Sequence, residues 1–254
     1  MAKTALITGA SSGLGAEFAR QLAERGADLV LVARDKETLE EVATRLRAST
    51  GVEVEILAAD LTIARERDKV VKRLQDLERP IEVLVNSAGY GLPLAFERND
   101  IEDEARHLEL HVEAPMRLAH AALGPMLDRR SGRIINVASV AGFIPRGTYG
   151  AVKAWVISFS RWANVRYSPR GVTVTAVCPG FVHTNFHERL GLLPGQEGIP
   201  SPMWLNAADV VREALRDSAR GKAVSIPSLR YKLVVGLARL VPTSLVVRAG
   251  ATGR

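Results

Sequence analysis

A tyrosine and a lysine that could transfer a proton stand four positions apart in this chain. Tyr149 and Lys153 fall in a helical pattern, so a helix would place both side chains on one face. A free tyrosine has a pKa near 10, and a nearby ammonium group can lower it by about 1–3 units. The pair therefore predicts a tyrosine that acts as a general acid near neutral pH. On spacing alone, a partly exposed helical contact without chemistry is the alternative.

A serine strengthens the chemical interpretation of this pair. Ser139 ends an apolar run that predicts the fifth strand of a sheet. In open parallel sheets, ligands collect beyond the carboxyl ends of the strands. A hydroxyl group at that edge could hold a carbonyl oxygen beside Tyr149.

A glycine-rich turn near the start of the chain has the composition of a phosphate-binding loop. It follows the first predicted strand and opens the first predicted helix. Gly9 permits a tight turn, Gly13 lets the backbone approach a pyrophosphate, and Gly15 lets the helix pack close to the sheet. The helix N-terminus then offers unpaired N–H groups to the anion. The spacing is GxxxGxG and not the generic GxGxxG, so a flexible turn is the alternative, but the strand-before, helix-after context favours a dinucleotide.

The residue after the second predicted strand indicates which dinucleotide binds. An acidic residue there would bind the ribose 2′-hydroxyl of NAD, whereas this chain has Arg34. A guanidinium group suits the 2′-phosphate of NADP, so we expect NADPH as the cofactor. Asp35 follows directly, so the preference could be incomplete, and an exposed arginine at a strand end is the alternative.

The elements that must position these residues alternate along the chain. Predicted strands cover residues 3–8, 28–33, 53–59, 82–86, 133–139, 173–178 and 223–226. Predicted helices cover residues 13–25, 36–49, 63–77, 101–129, 149–168 and 207–219. This alternation predicts an α/β fold, a Rossmann-type doubly wound parallel sheet of about seven strands with helices on both faces. With no linker or repeat in 254 residues, we expect one domain over residues 1–254.

Composition excludes several other classes of protein. The single cysteine, Cys178, rules out an internal disulfide, and the five histidines lack metal-ligand spacing, so no metal is expected. The net charge of +6 favours anionic partners such as a polyphosphate cofactor. No Lys/Arg block is interleaved with aromatic residues, which argues against nucleic-acid binding. Since no apolar run is long enough for a signal core or membrane span, we expect a cytoplasmic protein.

Together these motifs resemble the short-chain dehydrogenase/reductase family. The resemblance runs from Lys3 to about Ile226 and is carried, in the family's order, by Thr8-Gly9-Ala10-Ser11-Ser12-Gly13-Leu14-Gly15, Asp60-Leu61, Asn86-Ser87-Ala88-Gly89, Ser139, Tyr149-Gly150-Ala151-Val152-Lys153 and Pro179-Gly180-Phe181-Val182-His183-Thr184. It implies that the tyrosine donates a proton to a carbonyl oxygen, that the serine steadies this oxygen, and that NADPH delivers hydride to the carbon. The lysine would also bond the nicotinamide ribose.

The resemblance also implies which residues surround the cofactor. The glycine turn would hold the pyrophosphate through Gly9, Ser11, Ser12, Gly13, Leu14 and Gly15. Asp60 and Leu61 would lie near the adenine, and Asn86, Ala88 and Gly89 would border the cofactor. Pro179, Gly180, Val182 and Thr184 would hold the nicotinamide end.

Three departures from the family pattern affect the expected chemistry. His111 stands where the family has an asparagine that supports a water-linked proton relay. His111 could hold that water, and its titration near pH 6.5 would then reduce activity in acid; a buried histidine without a catalytic role is the alternative. The serine-to-tyrosine spacing is ten and not about thirteen, so the loop 143–148 is short. Asn86-Ser87 replaces the commoner Asn-Asn pair.

Two segments have the composition of variable parts of the molecule. Residues 185–206 are expected to form the substrate loop, with an apolar lining from Phe186, Leu190, Leu192, Leu193, Ile199, Met203 and Trp204. Such a lining favours a lipophilic carbonyl compound, fatty-acyl or steroid-like, although these side chains could simply pack the loop onto the core. The tail, residues 228–254, is basic and apolar, with Leu233, Leu237, Leu240 and Val241 at helical spacing. It could pack in the core or in a homodimer or homotetramer, or contact an anionic membrane.

The sequence as a whole predicts an NADPH-dependent ketone reductase, reversible as an alcohol dehydrogenase. The rival hypothesis is a dinucleotide-binding sensor that has lost catalysis, and His111 and the short loop are the features that favour it. Retention of Ser139, Tyr149 and Lys153 argues against it, because a sensor needs no proton donor.

Overall fold

The computed structural model of the chain describes residues 3–184 and 200–238. Within them, seven strands form one parallel sheet in the order β3-β2-β1-β4-β5-β6-β7. The strands are β1 (Thr4–Thr8), β2 (Asp28–Ala33), β3 (Val54–Ala58), β4 (Ile81–Asn86), β5 (Gly132–Val137), β6 (Val172–Val177) and β7 (Val224–Ser225). The predicted doubly wound α/β sheet is therefore confirmed.

Helices of the described residues cover both faces of this sheet. They are α1 (Gly13–Ala23), α2 (Lys36–Thr50), α3 (Ala64–Leu74), α4 (Ile101–Leu108), α5 (Ala114–Asp128), α6 (Gly147–Tyr167), α7 (Ala207–Ala219) and α8 (Leu229–Ala238). Successive residues of β1 pack on opposite faces of the sheet. Ile7 packs with α1, α2 and α7, whereas Leu6 packs with α3, α5 and α6. Strands buried on both faces explain the continuous apolar runs of the sequence.

The order of the strands creates a crevice at one edge of the sheet. The direction of winding reverses between β1 and β4, which are hydrogen-bonded neighbours. The helices that follow these two strands lie on opposite faces, so the loops at the carboxyl ends separate and leave a ligand-binding crevice. Thr8, Asn86 and Val137 end β1, β4 and β5 at this edge.

The prediction of one regular helix over residues 101–129 was wrong. A π-helical turn, Glu109–Glu113, separates α4 from α5, and its wider spiral includes the hydrogen bond from the Ala114 N–H to the Glu109 carbonyl. Pro115 stands at the start of α5 and has no N–H, so a regular α-helical ladder cannot pass through this point. Turns of this kind are frequent at functional sites, and His111 lies inside this one.

The described part of the tail forms α8. Its inner face buries Tyr231 and Val235 against the body of the molecule, while Leu233 and Leu237 are exposed. Leu240 and Val241 lie outside the described residues, and membrane contact by the tail stays an untested alternative to packing. Among the described residues no helix is both long and apolar enough to cross a membrane.

Candidate active site

The glycine turn lies against the loop that follows β4. Gly9 has a φ of +67°, and a Cβ atom on it would come within 2.9 Å of the Ala88 Cα. A Cβ atom on Gly15 would stand 2.1 Å from the Gly9 carbonyl oxygen, so the turn and α1 require glycine at both positions. The Thr8 hydroxyl accepts hydrogen bonds from the Ser87 and Ala88 N–H groups at 3.0 and 3.1 Å. The two loops of the crevice are thus held together at its base.

The N-terminus of α1 opens into this crevice. Ser12 is the N-cap of the eleven-residue helix, Ser11 lies in the turn before it, and the Leu14 side chain packs against the core. Gly13 has a φ of +56°, and the Thr184 side chain lies 3.5 Å from the place where its Cβ would be. The crevice therefore brings a helix N-terminus and a glycine cradle together with the end of the loop that follows β6, and these features fit a dinucleotide pyrophosphate.

Arg34 is exposed directly after β2. Asp35 is the N-cap of α2, and its carboxylate accepts a hydrogen bond from the Thr38 N–H at 2.9 Å. The Asp35 carboxylate, beside Arg34, is therefore already hydrogen-bonded to the first turn of α2. Asp60 accepts hydrogen bonds from the Thr62 N–H and hydroxyl, and Leu61 is buried.

The three residues expected to carry the chemistry meet at the end of β5. Ser139 is the N-cap of a short 3₁₀ turn, Val140–Phe143, and its hydroxyl also hydrogen-bonds the Tyr149 hydroxyl. Lys153 is buried, its Nζ lies 5.5 Å from the centre of the Tyr149 ring, and it donates to the Val137 carbonyl at 2.9 Å. The short loop ends at Gly147, which has a φ of +60° and begins α6.

The expected lowering of the Tyr149 pKa was wrong for this structure. Burial is the largest influence and raises the pKa of Tyr149 to about 12, although the hydrogen bond from Ser139 acts in the opposite direction. Burial also lowers the pKa of Lys153 to about 8. Both shifts favour the neutral form of the group, because a charge loses hydration when it is buried.

His111 ties the π-helical turn to the loop after β4. Its Nε2 lies 2.8 Å from the Tyr90 carbonyl oxygen and 3.2 Å from the Tyr90 nitrogen. Gly89 makes room for the ring, since a Cβ atom there would stand 2.5 Å from the His111 Cε1. The ring centre is 5.9 Å from that of Tyr149, so His111 lies beside the residue expected to donate the proton.

The expected titration of His111 near pH 6.5 was also wrong. The imidazole is buried, and its pKa lies well below 6.5 because of burial, the nearby Lys153 ammonium and a second histidine, His107. The side chain is therefore neutral across the range in which such an activity would be measured. A neutral imidazole can both donate and accept a hydrogen bond.

A small cavity connects several of these residues. It offers about 20 Å³ to the centre of a water molecule, and its wall includes Asn86, Ala88, His111 and Lys153. About 10–15 Å³ of such space is enough for one water. Asn86 Oδ1 and His111 Nδ1 are buried without a hydrogen-bond partner in the described residues.

Sequence reasoning missed a polar ladder beneath this cavity. Asn86 donates to Asn136 Oδ1 at 2.8 Å, and Asn136 donates to the Ser160 hydroxyl at 2.9 Å. These buried bonds join β4, β5 and α6; Asn86 ends β4, Ser139 follows β5, and Lys153 lies on α6. Asn136 follows a run of apolar residues inside β5, and a polar residue at such a position was the available signal.

The loop after β6 rests on a residue of α8 that sequence reasoning also missed. The Phe181 N–H donates to the Tyr231 hydroxyl at 3.1 Å, and this hydroxyl donates to the Met203 carbonyl at 2.8 Å. A Cβ atom on Gly180 would overlap the Tyr231 ring at 1.9 Å. Val182 is buried and pairs with Leu205, so the two ends of the expected substrate loop lie side by side.

Part of the expected substrate loop lies outside the described residues. Phe186, Leu190, Leu192, Leu193 and Ile199 belong to that part. Of the expected lining, Met203 and Trp204 are described. The Trp204 ring stacks on His183 with centres 4.7 Å apart and lies 5.9 Å from the Phe181 ring.

Comparisons with known proteins agree with this arrangement. Residues 3–192 match the model of the short chain dehydrogenase family. An uncharacterised oxidoreductase of Staphylococcus saprophyticus is 37% identical over 185 residues, which are 72% of this chain and 79% of the relative. Among solved structures, a short-chain dehydrogenase from Sphingobium yanoikuyae in complex with NADPH superposes with a TM-score of 0.85 at 38% identity, covering 93% of both chains.

A second solved structure is a bulky-bulky ketone specific alcohol dehydrogenase from Comamonas testosteroni. It superposes with a TM-score of 0.80 at 34% identity and covers 94% of this chain and 92% of its own. The family model covers well over half of the chain, and the fold and the order of the motifs agree with it. This protein belongs to the short-chain dehydrogenase family of oxidoreductases.

Proposed function

We propose that this protein is an NADPH-dependent reductase of lipophilic ketones. The observation that carries the proposal is the arrangement at the end of β5, where a buried lysine, a tyrosine and a serine face the same crevice as the glycine turn. A protein that only sensed the cofactor could use Lys153 to bind it, but it would gain nothing from the Ser139 and Tyr149 hydroxyl groups that are hydrogen-bonded beside this lysine. Burial of an ammonium is costly and is usually retained for a function.

The proposed reduction uses each of these groups for one task. The Ser139 and Tyr149 hydroxyl groups hold the carbonyl oxygen of the substrate. With a pKa raised to about 12, Tyr149 is protonated at working pH and can donate as the oxygen gains negative charge. Lys153 restores the proton to the phenolate. When bound, NADPH supplies the hydride to the carbonyl carbon.

The backbone of the glycine turn, from Gly9 to Gly15, would hold the pyrophosphate of the cofactor. Asp60, Leu61, Asn86, Ala88 and Gly89 would border its adenosine and ribose parts, and Pro179, Gly180, Val182 and Thr184 its nicotinamide end. Contact of Thr184 with Gly13, and of Ala88 with Gly9, supports this path along the crevice.

We infer that His111 holds the relay water that the family pattern assigns to asparagine. In the tautomer whose Nε2 carries the proton, Nε2 donates to the Tyr90 carbonyl at 2.8 Å, and Nδ1 is an acceptor for water; in the other tautomer Nε2 accepts from the Tyr90 N–H at 3.2 Å. The water-sized cavity between His111 and Lys153 supports this role. Because His111 is neutral in the working range, His111→Asn should retain activity without removing an acid limb near pH 6.5.

Preference for NADPH rests on Arg34 and on the capping role of Asp35. A carboxylate that already accepts a bond from Thr38 competes weakly for a ribose hydroxyl, whereas the exposed guanidinium is available for a phosphate. The affinity of wild type and Arg34→Asp for NADPH and NADH tests this. Loss of a charge-assisted bond costs about 1.5–3 kcal/mol, so Arg34→Asp should bind NADPH roughly 10- to 150-fold more weakly. Equal affinity of the wild type for both cofactors would contradict the assignment.

A lipophilic substrate is supported by the surroundings of the crevice. Leu94 and Phe96 are exposed in the loop after β4, and Leu94 reaches the start of α6 beside Gly147. Trp204, Phe181 and His183 form an aromatic cluster at the base of the expected substrate loop. The Comamonas enzyme is a bulky-bulky ketone specific alcohol dehydrogenase. We therefore expect bulky, apolar ketones to be reduced better than small polar ones.

The decisive experiment compares wild type with Tyr149→Phe on a panel of bulky ketones with NADPH. Positioned acid catalysis is typically worth about 10²–10⁴-fold, so the variant should lose that factor in kcat and still bind NADPH. A wild type that oxidises NADPH with none of the ketones would favour the sensor hypothesis. Near-normal turnover by Tyr149→Phe would show that another group is the acid.

We further propose that the protein forms a homo-oligomer through the outer face of α6. This helix buries Val152 and Val156 against the sheet, yet it also exposes Trp162 and Val165. A helix that is apolar on both faces is normally covered on both. A second copy of the chain is the simplest cover, either as a homodimer or as a homotetramer.

A further inference from the structure

A second histidine lies buried beside His111 and is not explained by the roles assigned above. His107 lies in the last turn of α4, just before the π-helical turn, and its side chain is completely buried. Among the described residues neither ring nitrogen makes a hydrogen bond of ordinary geometry, and the Tyr90 backbone is the polar group that interacts with the ring and raises its pKa against the larger, lowering effect of burial. His111 Nδ1 and one carboxylate oxygen of Glu104, one turn before His107, also lack a hydrogen-bond partner within the described residues. Polar atoms buried in this way usually bind ordered water.

The two imidazoles form a pair between two tyrosines. Their ring centres are 4.3 Å apart, and those of His107 and Tyr149 are 6.1 Å apart. Tyr90 closes the opposite side, with its ring centre 5.5 Å from that of His107. The pair therefore extends from the proton donor towards the start of α4.

Glu104 forms the outer end of this row of polar groups. Its other carboxylate oxygen accepts a hydrogen bond from Asn99 Nδ2 at 2.7 Å, in the partly exposed loop before α4. The titratable groups that act on the two histidines are Glu104 from α4 and Lys153 from α6, in addition to the histidines themselves. The row thus starts near solvent and ends at the cavity lined by His111 and Lys153.

We propose that His107 passes a proton from Glu104 and buried water to the cavity beside Lys153. It acts through Lys153 and does not touch the substrate, so it is a positioning residue. The proposal rests on the proposed function, because the proton is the one that Tyr149 gives to the substrate. A neutral imidazole suits this role, since it accepts a proton at one ring nitrogen while it releases one from the other. Burial and Lys153 hold the pKa of His107 at about 4, so the neutral form predominates near neutral pH.

The sequence of transfers is balanced. Tyr149 loses its phenolic proton to the carbonyl oxygen, and Lys153 returns a proton to the phenolate. Water held by His111 Nδ1 gives a proton to the Lys153 amine and takes one that His107 releases. His107 is restored by a proton that enters from solvent past Glu104. No group is oxidised or reduced along this path, and one proton from solvent is consumed in each turnover.

Four variants test the proposal: His107→Ala, His107→Phe, Glu104→Gln and, as a matched control, His120→Ala. His120 is an exposed histidine on α5. The assay measures reduction of a ketone that the wild type accepts, in H₂O and D₂O, with and without added imidazole. NADPH affinity and the thermal midpoint are measured in parallel.

We expect His107→Phe to lower kcat by roughly 10- to 100-fold, which is at or below the usual range of acid–base effects. The solvent isotope effect on kcat should rise, because proton delivery becomes slower. Imidazole should partly restore His107→Ala, which leaves a cavity, and should not restore His107→Phe, which fills it. Glu104→Gln should lower kcat by a smaller factor and should also raise the solvent isotope effect. His120→Ala should behave as the wild type.

A readout that does not need turnover separates this proposal from the proposed function. In the wild type, ¹⁵N chemical shifts should report a His111 that is protonated at Nε2 and hydrogen-bonded at Nδ1. His107→Phe should move the Nδ1 shift. An unmoved shift, or a kcat that falls only together with NADPH affinity and thermal midpoint, would overturn the relay. A wild type that reduces no ketone would refute the proposed function alone, and the ¹⁵N shifts would still decide whether the two histidines are connected.

Discussion

Burial controls protonation of the side chains around Tyr149. Lys153 Nζ donates to the Val137 carbonyl and stands 5.5 Å from the tyrosine ring, and loss of hydration is the largest influence on the pKa of both groups. The lysine pKa falls to about 8 and the tyrosine pKa rises to about 12. An acid that stays protonated is suited to reduction, and a lysine that titrates near neutral pH is suited to passing a proton on.

The lysine pKa predicts an alkaline limit for ketone reduction. The folded value of about 8 lies below the usual 10.5, so Lys153 loses its proton as pH rises through about 8. If the ammonium form restores the proton of Tyr149, kcat/KM should fall about tenfold per pH unit above that value. Its dependence on pH at saturating NADPH measures this. Arginine stays charged, so Lys153→Arg should be slower but show no such limb; the same limb in this variant would assign the titration to another group.

The break between α4 and α5 is the element that the sequence could least predict. Apolar periodicity runs through residues 101–129 without interruption, and periodicity does not distinguish an α-helical turn from a π-helical one. Pro115 was the available signal, because it removes a hydrogen bond from the ladder. By contrast, α7 has the predicted bounds, Ala207–Ala219, and the side chain of Asn206 caps its first turn by accepting from the Ala208 N–H.

Contacts between residues that are far apart in the sequence could not be predicted from it either. Spacing of four residues relates His107 to His111, but it does not show that Tyr90 closes over them. The bonds from Tyr231 to residues 181 and 203 join three segments that share no local pattern. Motif residues were predictable because their chemistry is local, whereas the groups that support them depend on tertiary packing.

Tyr231 links α8 to the loop after β6, which we propose holds the nicotinamide end of the cofactor. Tyr231→Phe retains the ring against Gly180 and removes both hydrogen bonds. At about 0.5–1.5 kcal/mol for each bond, the free energy of unfolding should fall by roughly 1–3 kcal/mol. NADPH should also bind more weakly, because the Phe181 N–H loses the group that fixes its loop. Chemical denaturation and cofactor titration measure the two effects.

A matched control for this variant is Tyr167→Phe. Tyr167 is half-buried at the end of α6, and its hydroxyl makes no hydrogen bond within the described residues. We expect little change in either measurement. If Tyr231→Phe binds NADPH with unchanged affinity, α8 stabilises the fold without positioning the cofactor loop.

In the whole molecule, the candidate site lies at one edge of the sheet, and the two faces of α6 have different surroundings. Its inner face carries Lys153 into the crevice, while the outer face presents Trp162, which is 56% exposed, and Val165, which is 76% exposed. Trp155, Phe159 and Trp162 form a continuous aromatic row along the helix. Any contact made by the outer face therefore acts on the same helix that holds Tyr149 and Lys153.

This arrangement predicts that Trp162→Glu changes the assembly of the protein. Tryptophan at the centre of an interface commonly contributes about 2 kcal/mol or more, and a buried carboxylate would add a desolvation cost. Sedimentation velocity should therefore show the wild type as an oligomer and the variant as a smaller species over a range of concentrations.

Leu77→Glu is the matched control, because Leu77 is 73% exposed on the loop between α3 and β4. If α6 is the contact, Leu77→Glu should keep the wild-type mass, and Trp162→Glu should lose part of its ketone reduction along with its partner. A wild type that sediments as a single chain, or a Trp162→Glu variant with the wild-type mass, would remove α6 as the interface.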